Sequence, residues 1–259
     1  MDLFILSSGS CGNSAFLRHE QTRILIDAGM PLRATQRFLR RIDEELEDVE
    51  AIFITHEHGD HIRCAEVISR RCEIPVYMSN GTYRSANATV KKIPPERVHL
   101  FEPGERFTIG NFEVESVATP HDAAEPVGYV VESVHKRFGV FTDIGYVFPG
   151  LIDRVGDLDV LMIESNYDEI MLDDGPYPRQ LKERIRGRNG HISNDEAARL
   201  VKDHTGDRLR CLVLSHLSEE NNHPEVAVTS VKGILGEGRT NDLRVIPANR
   251  GYPTTLISV

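Results

Sequence analysis

The segment His56-Glu57-His58-Gly59-Asp60-His61 is where residue types and spacing point most directly to chemistry. Two histidines one residue apart can face the same side of a loop, and the aspartate and histidine that follow can face a second point. Imidazole nitrogen and carboxylate oxygen together suit Zn²⁺, Mn²⁺ or Fe²⁺. A lone His-x-His is often a solvated turn, but this one leaves the apolar run AIFIT (51–55), whose composition is that of a buried strand. His121 in ATPHDA, Asp143 in VFTDIG and His216 in LSHL also follow or end such runs. Singly they also read as a turn histidine, a helix cap and a core histidine. Strand ends are nonetheless where a rigid scaffold presents reactive groups.

Two further segments can meet an anion. The run PRQLKERIRGRNG carries Arg179, Lys182, Arg184, Arg186 and Arg188 with Glu183 its one acid. It reads as a phosphate clamp or as a solvated helix face. The loop Ser7–Ser14, with Ser8, Ser10 and Asn13, offers hydroxyls and amides to a phosphate, and reads equally as a tight hairpin. The basic cluster Arg33, Arg37, Arg40 and Arg41 is balanced by Glu44, Glu45, Glu47 and Asp48.

The elements that must position these groups are short β-branched runs: LFIL (3–6), SAFL (14–17), RILID (23–27), AIFIT, PVYMS (75–79), FEVESV (112–117), GYVVES (128–133), FGVFTD (138–143), DVLMIES (159–165), CLVLSH (211–216) and LRVIP (243–247). Helical patterns lie between them, from Pro31 to about Glu45, over 62–71, after the capping box Ser193–Glu196, and over 224–236. Hairpin-like spacing, without regular βαβ alternation, predicts two stacked sheets with outer helices in one domain over 1–259.

Composition is that of an ordinary globular protein, 40% hydrophobic and 27% charged. The opening MDLFILSSGSCGNS lacks a basic leader and reads as a strand, and no apolar run approaches the ~20 residues of a membrane helix. Cys11, Cys64, Cys72 and Cys211 show no CxxC pairing, so reduced thiols and a cytoplasmic location are expected. The net charge of −10 disfavours general nucleic-acid affinity. Bound divalent ions would locally reverse that balance.

In order and spacing the chain resembles the metallo-β-lactamase superfamily along nearly its whole length. The resemblance implies an α+β fold, a four-layer αββα sandwich, and two divalent metal ions. It implies one ion on His56, His58 and His121, another on Asp60, His61 and His216, and Asp143 bridging. Asp27 in LIDAG would buttress the loop, and Asp60 would also orient the attacking water. On this pattern phosphodiesters, thioesters and lactones all remain candidate substrates. The transfer-RNA-processing nucleases of the superfamily pair a glutamate after a strand with a histidine in a Gly-His-Ser/Thr segment. Glu164 in VLMIESNYD and His191 in NGHISN match, implying a proton donor to the leaving oxygen, a need that glyoxalase-type thioesterases lack. The interval between Asp143 and His216 has no room for a β-CASP domain. With SSGSCGNS, GHISN, ESNYD and LSHLSEENN, the chain closely resembles the YycJ/WalJ family. That resemblance implies a 5′ exonuclease with a nucleic-acid substrate, DNA favoured over RNA, and no membrane partner. Glyoxalase-type thioester or lactone hydrolysis and RNA processing are the alternatives.

Overall fold

The computed structural model describes all residues 1–259. Its strands are β1 Asp2–Ser7, β2 Ser14–His19, β3 Thr22–Ile26, β4 Ala51–Phe53, β5 Val76–Ser79, β6 Val98–Phe101, β7 Arg106–Ile109, β8 Phe112–Ala118, β9 Val127–Ser133, β10 Lys136–Phe141, β11 Val160–Glu164, β12 Cys211–Ser215, β13 Arg244–Pro247 and β14 Ile257–Ser258. They form two seven-stranded sheets, ordered β14-β1-β2-β3-β4-β5-β6 and β13-β12-β11-β10-β9-β8-β7.

The unbroken apolar runs follow from burial on both faces. In β1, Leu3 and Ile5 enter the core between the sheets, while Phe4 and Leu6 pack under outer helices with Phe38 and Ile68. In β11, Val160 and Met162 face the inter-sheet core, and Leu161 and Ile163 face the opposite helical layer with Val201 and Val231. Alternate side chains thus fill different layers, and the layering is helix, sheet, sheet, helix. No helix is long and apolar enough to cross a membrane.

The spacing argument holds for only half of each sheet. β1–β3 and β7–β10 pair antiparallel, but β3–β6 and β10–β13 pair parallel with helical crossovers. The parallel halves matter, because in such sheets sites collect beyond the carboxyl ends of strands. The helix expected from Pro31 to Glu45 covers Leu32–Leu39 and closes in a 3₁₀ turn, where Asp43 takes a left-handed φ of 56°. The 62–71 pattern becomes a short turn, Gly59–Ile62, and the helix Ala65–Cys72. β6, β7 and β14 escape the sequence pattern because two are partly exposed edge strands and the third has two residues. The Ser193 capping box forms as expected, with Ser193 Oγ accepting from Glu196 N at 3.2 Å and Glu196 Oε2 accepting from Ser193 N at 2.9 Å.

Candidate metal centre

Asp27, Asp143 and His216 stand one or two residues past β3, β10 and β12, all with left-handed φ of 62°, 55° and 54°. Each such non-glycine residue costs about 1–3 kcal/mol and persists only where its surroundings over-determine it. Here the left-handed turn at each strand end accompanies a side chain held among the others.

Asp27 anchors the histidine loop at both ends. Its Oδ1 accepts from Thr55 N at 2.8 Å, and its Oδ2 lies 2.7 Å from His61 Nδ1. With Nδ1 held by Asp27, His61 turns its Nε2 inward, 3.2 Å from Asp143 Oδ2 and 3.5 Å from Asp60 Oδ2. Gly190 O lies 3.2 Å from His121 Nδ1, which orients that ring in the same manner. His56 Nε2 and His58 Nδ1 are 3.1 Å apart.

Four clusters of ligand atoms result, each within 4.8 Å: His56, His58 and His121; Asp60, His61 and His216; His56, His61 and Asp143; and Asp143, Glu164, His191 and His216. The first two have the compositions expected of two ion sites, and Asp143 joins the clusters on either side. The donor set fits divalent cations: imidazoles approach one another nitrogen to nitrogen, and Asp143 Oδ2 is buried without a hydrogen-bond partner.

Charge in the centre is balanced by protons on the metal-free protein. Burial opposes a proton on His61, but the Asp27 and Asp143 carboxylates outweigh it and hold this imidazole well above its ordinary range. Burial likewise opposes charge on His216, yet Asp143, Asp60 and Glu164 push it up to about 10. Burial and the neighbouring His61 lower His56, leaving it neutral and ready to ligate. An ion arriving at His61 and His216 must therefore displace protons. Metal uptake at neutral pH is expected to release them, with apparent affinity rising with pH until the folded-state values are passed. Calorimetry in buffers of different ionisation enthalpy checks this, and a buffer-independent heat would contradict it.

Glu164 is a hub. Its Oε1 lies 2.7 Å from His191 Nδ1 and 2.9 Å from His216 Nδ1, while its Oε2 accepts from Ile144 N at 2.9 Å and Ile192 N at 3.3 Å. Three loops are thus pinned to one buried carboxylate. Gly190 is required beside it, since a Cβ there would overlap the carbonyl of Ile185. Burial opposes charge on His191, but Glu164 raises it overall. His191 Nε2 makes no hydrogen bond within the protein, and the ring lines a cavity of about 250 Å³ shared with His58, Asp60, His121 and His216.

The residues expected at phosphate lie in unlike places. Ser8 is fully buried, and its hydroxyl accepts from His216 N at 2.8 Å. Asn13 is buried too; its Nδ2 sits 2.9 Å from His61 Nε2 and 3.1 Å from Asp60 Oδ2. Both brace the centre and are not at its mouth. Ser10 does line the cavity, with Arg184. The basic run is less bare than its sequence suggests. Arg184 meets Asp122 at 2.5 Å, Arg186 meets Asp173 at 2.7 Å and Glu169 at 3.0 Å, and Arg188 stacks 4.7 Å above Tyr146. Arg186, held by two acids and absent from the cavity lining, is not placed to clamp substrate there. Those acids lie outside the run itself, which is why the run looked unopposed.

Thr55, Asn166 and Asn222 went unnoticed in the sequence. Thr55 Oγ1 touches Asp27, His56 and His61 at 3.0–3.2 Å. Asn166 Nδ2 donates to His216 O at 2.8 Å, and Asn222 Nδ2 donates to the carbonyls of Ser165 and Asn166 at 2.8 and 3.0 Å. The one signal was the unusual polarity of ESN and EENN beside buried strands.

Residues 22–216 match the family model described as the beta-lactamase superfamily domain. The chain is 35% identical over 233 residues to the exodeoxyribonuclease YycJ of Bacillus anthracis, covering 90% of this chain and 88% of that one. It is 36% identical over 260 residues to the exodeoxyribonuclease WalJ of Streptococcus pneumoniae, covering 98% and 97%. Among solved structures, the metallo-beta-lactamase fold protein YhfI from Bacillus subtilis superposes with a TM-score of 0.73 at 15% identity, covering 98% of both chains.

Proposed function

Because this chain belongs to the beta-lactamase superfamily and, within it, to the family of the YycJ and WalJ exodeoxyribonucleases, we propose that it is a metal-dependent nuclease removing nucleotides from the 5′ end of DNA. The observation that carries this reading is the Glu164–His191 pair at 2.7 Å, set at the edge of the ligand clusters. A departing 3′-oxygen of a sugar is a poor leaving group unless it receives a proton. A thiolate needs none. The cavity lining is otherwise polar, with only Leu181 and Ile185 apolar, which suits a charged diester better than an acyl chain.

Under this reading His56, His58 and His121 would hold one ion, Asp60, His61 and His216 the other, and Asp143 would serve both. When bound, Zn²⁺, Mn²⁺ or Fe²⁺ would supply Lewis acidity for activating water and neutralising charge on the phosphate. The chain's own groups supply the rest. Asp60 orients the attacking water. Glu164 keeps the His191 proton on Nδ1 and stabilises the charged ring, so Nε2–H faces the substrate. As the water oxygen joins phosphorus and releases a proton to solvent, the bond from phosphorus to the 3′-oxygen breaks and the Nε2 proton passes to the departing oxygen. Solvent then returns a proton to His191. Arg184 and Ser10 stand at the mouth for phosphate oxygens, and Arg188 stands further out with Arg184. Four free cysteines agree with a reducing cytoplasm.

A digestion panel tests the reading. With Mn²⁺ or Zn²⁺, DNA labelled at its 5′ end is expected to release labelled mononucleotide at once, and DNA labelled at its 3′ end to shorten progressively. A 5′-phosphate should be preferred over a 5′-hydroxyl. Efficient hydrolysis of glutathione thioesters with no cleavage of DNA would overturn it.

A further inference from the structure

The basic cluster whose charge the following acids cancel on paper is the one that folding leaves free. Glu44 is buried and taken by Arg18 at 2.7 Å and by Arg23. Glu45 is taken by Arg40 at 3.0 Å, and Glu47 accepts from Gln36 at 2.9 Å. Arg33, Arg37 and Arg41 are exposed, make no hydrogen bond within the protein and have no carboxylate within 4.0 Å. Their i, i+4, i+8 spacing puts them on one face of the helix Leu32–Leu39 and the 3₁₀ turn that closes it. The guanidinium carbons of Arg37 and Arg41 stand 4.9 and 5.0 Å from the centre of the buried Phe38 ring. That ring holds two like charges near each other and leaves their N–H groups to solvent.

The stripe begins beside the metal centre. Gly29 packs on the backbone of Asp60, whose carbonyl a Cβ there would overlap. Arg63, exposed and also without an acid partner, donates to Gly29 O at 2.7 Å and to Cys11 O, next to the cavity-lining Ser10. Because β3 and β4 pair parallel, the helix between them runs from the centre back toward the far end of the sheet. Arg33 to Arg41 thus carry positive charge ~12 Å outward from the rim. One DNA strand has a phosphate every ~3.4 Å of duplex axis, so the stripe matches about three of them. Phe38 lies beneath the guanidiniums, so no ring is open to a base. On a chain of net charge −10, this is a face for a polyanion's backbone. Arg184 and Arg186, by contrast, already carry Asp122, Glu169 and Asp173.

Resting on the nuclease reading above, we propose that Arg33, Arg37 and Arg41, with Arg63 at the inner end, grip the phosphate backbone of duplex DNA extending beyond the cleaved end. The contact lies outside the cavity and reads no bases. It adds affinity for long DNA, independent of sequence and steeply dependent on salt.

The test compares the unaltered Mn²⁺-loaded enzyme with two triple variants. One carries Arg33→Gln, Arg37→Gln and Arg41→Gln, the other Arg33→Lys, Arg37→Lys and Arg41→Lys. Cleavage is followed on a dinucleotide, too short to reach the stripe, and on a duplex of about twenty base pairs. Binding of the same duplex, protected by phosphorothioate linkages, is read by anisotropy across a salt series. The slope of log Kd against log salt falls by ~0.9 for each phosphate contact removed. The glutamine variant should therefore be about 40-fold less sensitive to a change from ~50 to ~200 mM salt. Its KM for the duplex should rise relative to its KM for the dinucleotide. The lysine variant should keep both properties, because a point charge serves a phosphate. An undiminished salt slope in the glutamine variant would overturn the proposal and leave the stripe to an acidic protein partner. Equal losses on dinucleotide and duplex, or a lysine variant as impaired as the glutamine one, would also overturn it. Each of these results leaves the nuclease reading intact, whereas an unaltered enzyme that cleaves no DNA would overturn both.

Discussion

Replacing Asp143 with alanine is expected to empty both ion sites together and abolish turnover. Its carboxylate is 3% exposed and lies 3.2 Å from His61 Nε2, 3.4 Å from His216 Nδ1 and 3.7 Å from His121 Nε2, so it stands between the two histidine clusters. Even residues that only support a ligand typically cost 10–100-fold in metal affinity, so a shared ligand should cost each site more than about 100-fold. Alanine at a φ of 55° also adds backbone strain, which would blur the result. Asp143→Asn separates the two effects, because asparagine tolerates the left-handed region while lacking the charge. Both variants should retain far less than the roughly two ions per chain of the unaltered protein. Elemental analysis that finds one ion held at normal affinity in Asp143→Asn would refute the bridging role.

His191→Ala should slow DNA cleavage by ~10²–10⁴-fold, the usual contribution of a general acid. The same variant should hydrolyse bis(p-nitrophenyl) phosphate nearly as before, because p-nitrophenolate departs without a proton. Both ions should remain, since neither histidine cluster that forms the two proposed ion sites includes His191. Glu164→Gln is expected to be harsher than a lost orienting contact. Glu164 Oε1 serves His216 as well as His191, and Oε2 faces two backbone N–H donors, those of Ile144 and Ile192. In either orientation a glutamine amide nitrogen would face donors, the two backbone N–H groups or the two imidazole Nδ1–H groups, so metal binding and thermal stability should fall with activity. Equal damage to both substrates by His191→Ala, with ions retained, would mean that His191 only positions substrate.

Much of the candidate centre is legible in the sequence because its information is local. His56, His58, Asp60 and His61 sit within one loop after a recognisable strand, and Asp27, His121, Asp143 and His216 each follow another. Burial on both faces writes those strands as continuous apolar runs, so their ends, where side chains emerge, can be located without coordinates. The Ser193 cap is equally local, a hydroxyl and a carboxylate three residues apart.

What the chain alone could not decide is who faces whom across long intervals. The hydroxyl of Ser8 supports the backbone of His216, 208 residues away, whereas its loop had suggested a phosphate. Arg184 and Arg186 look unopposed until folding brings Asp122, Glu169 and Asp173 beside them. Glu164 is readable as a partner for His191, but its hold on His216 and on two other loops exists only after β10, β11 and β12 lie parallel. Spacing and periodicity are properties of short windows of chain, and they determined which residues are available for chemistry. Charge pairing and burial of polar groups depend on which surfaces the packed layers bring together, so the tertiary structure decided what each residue touches.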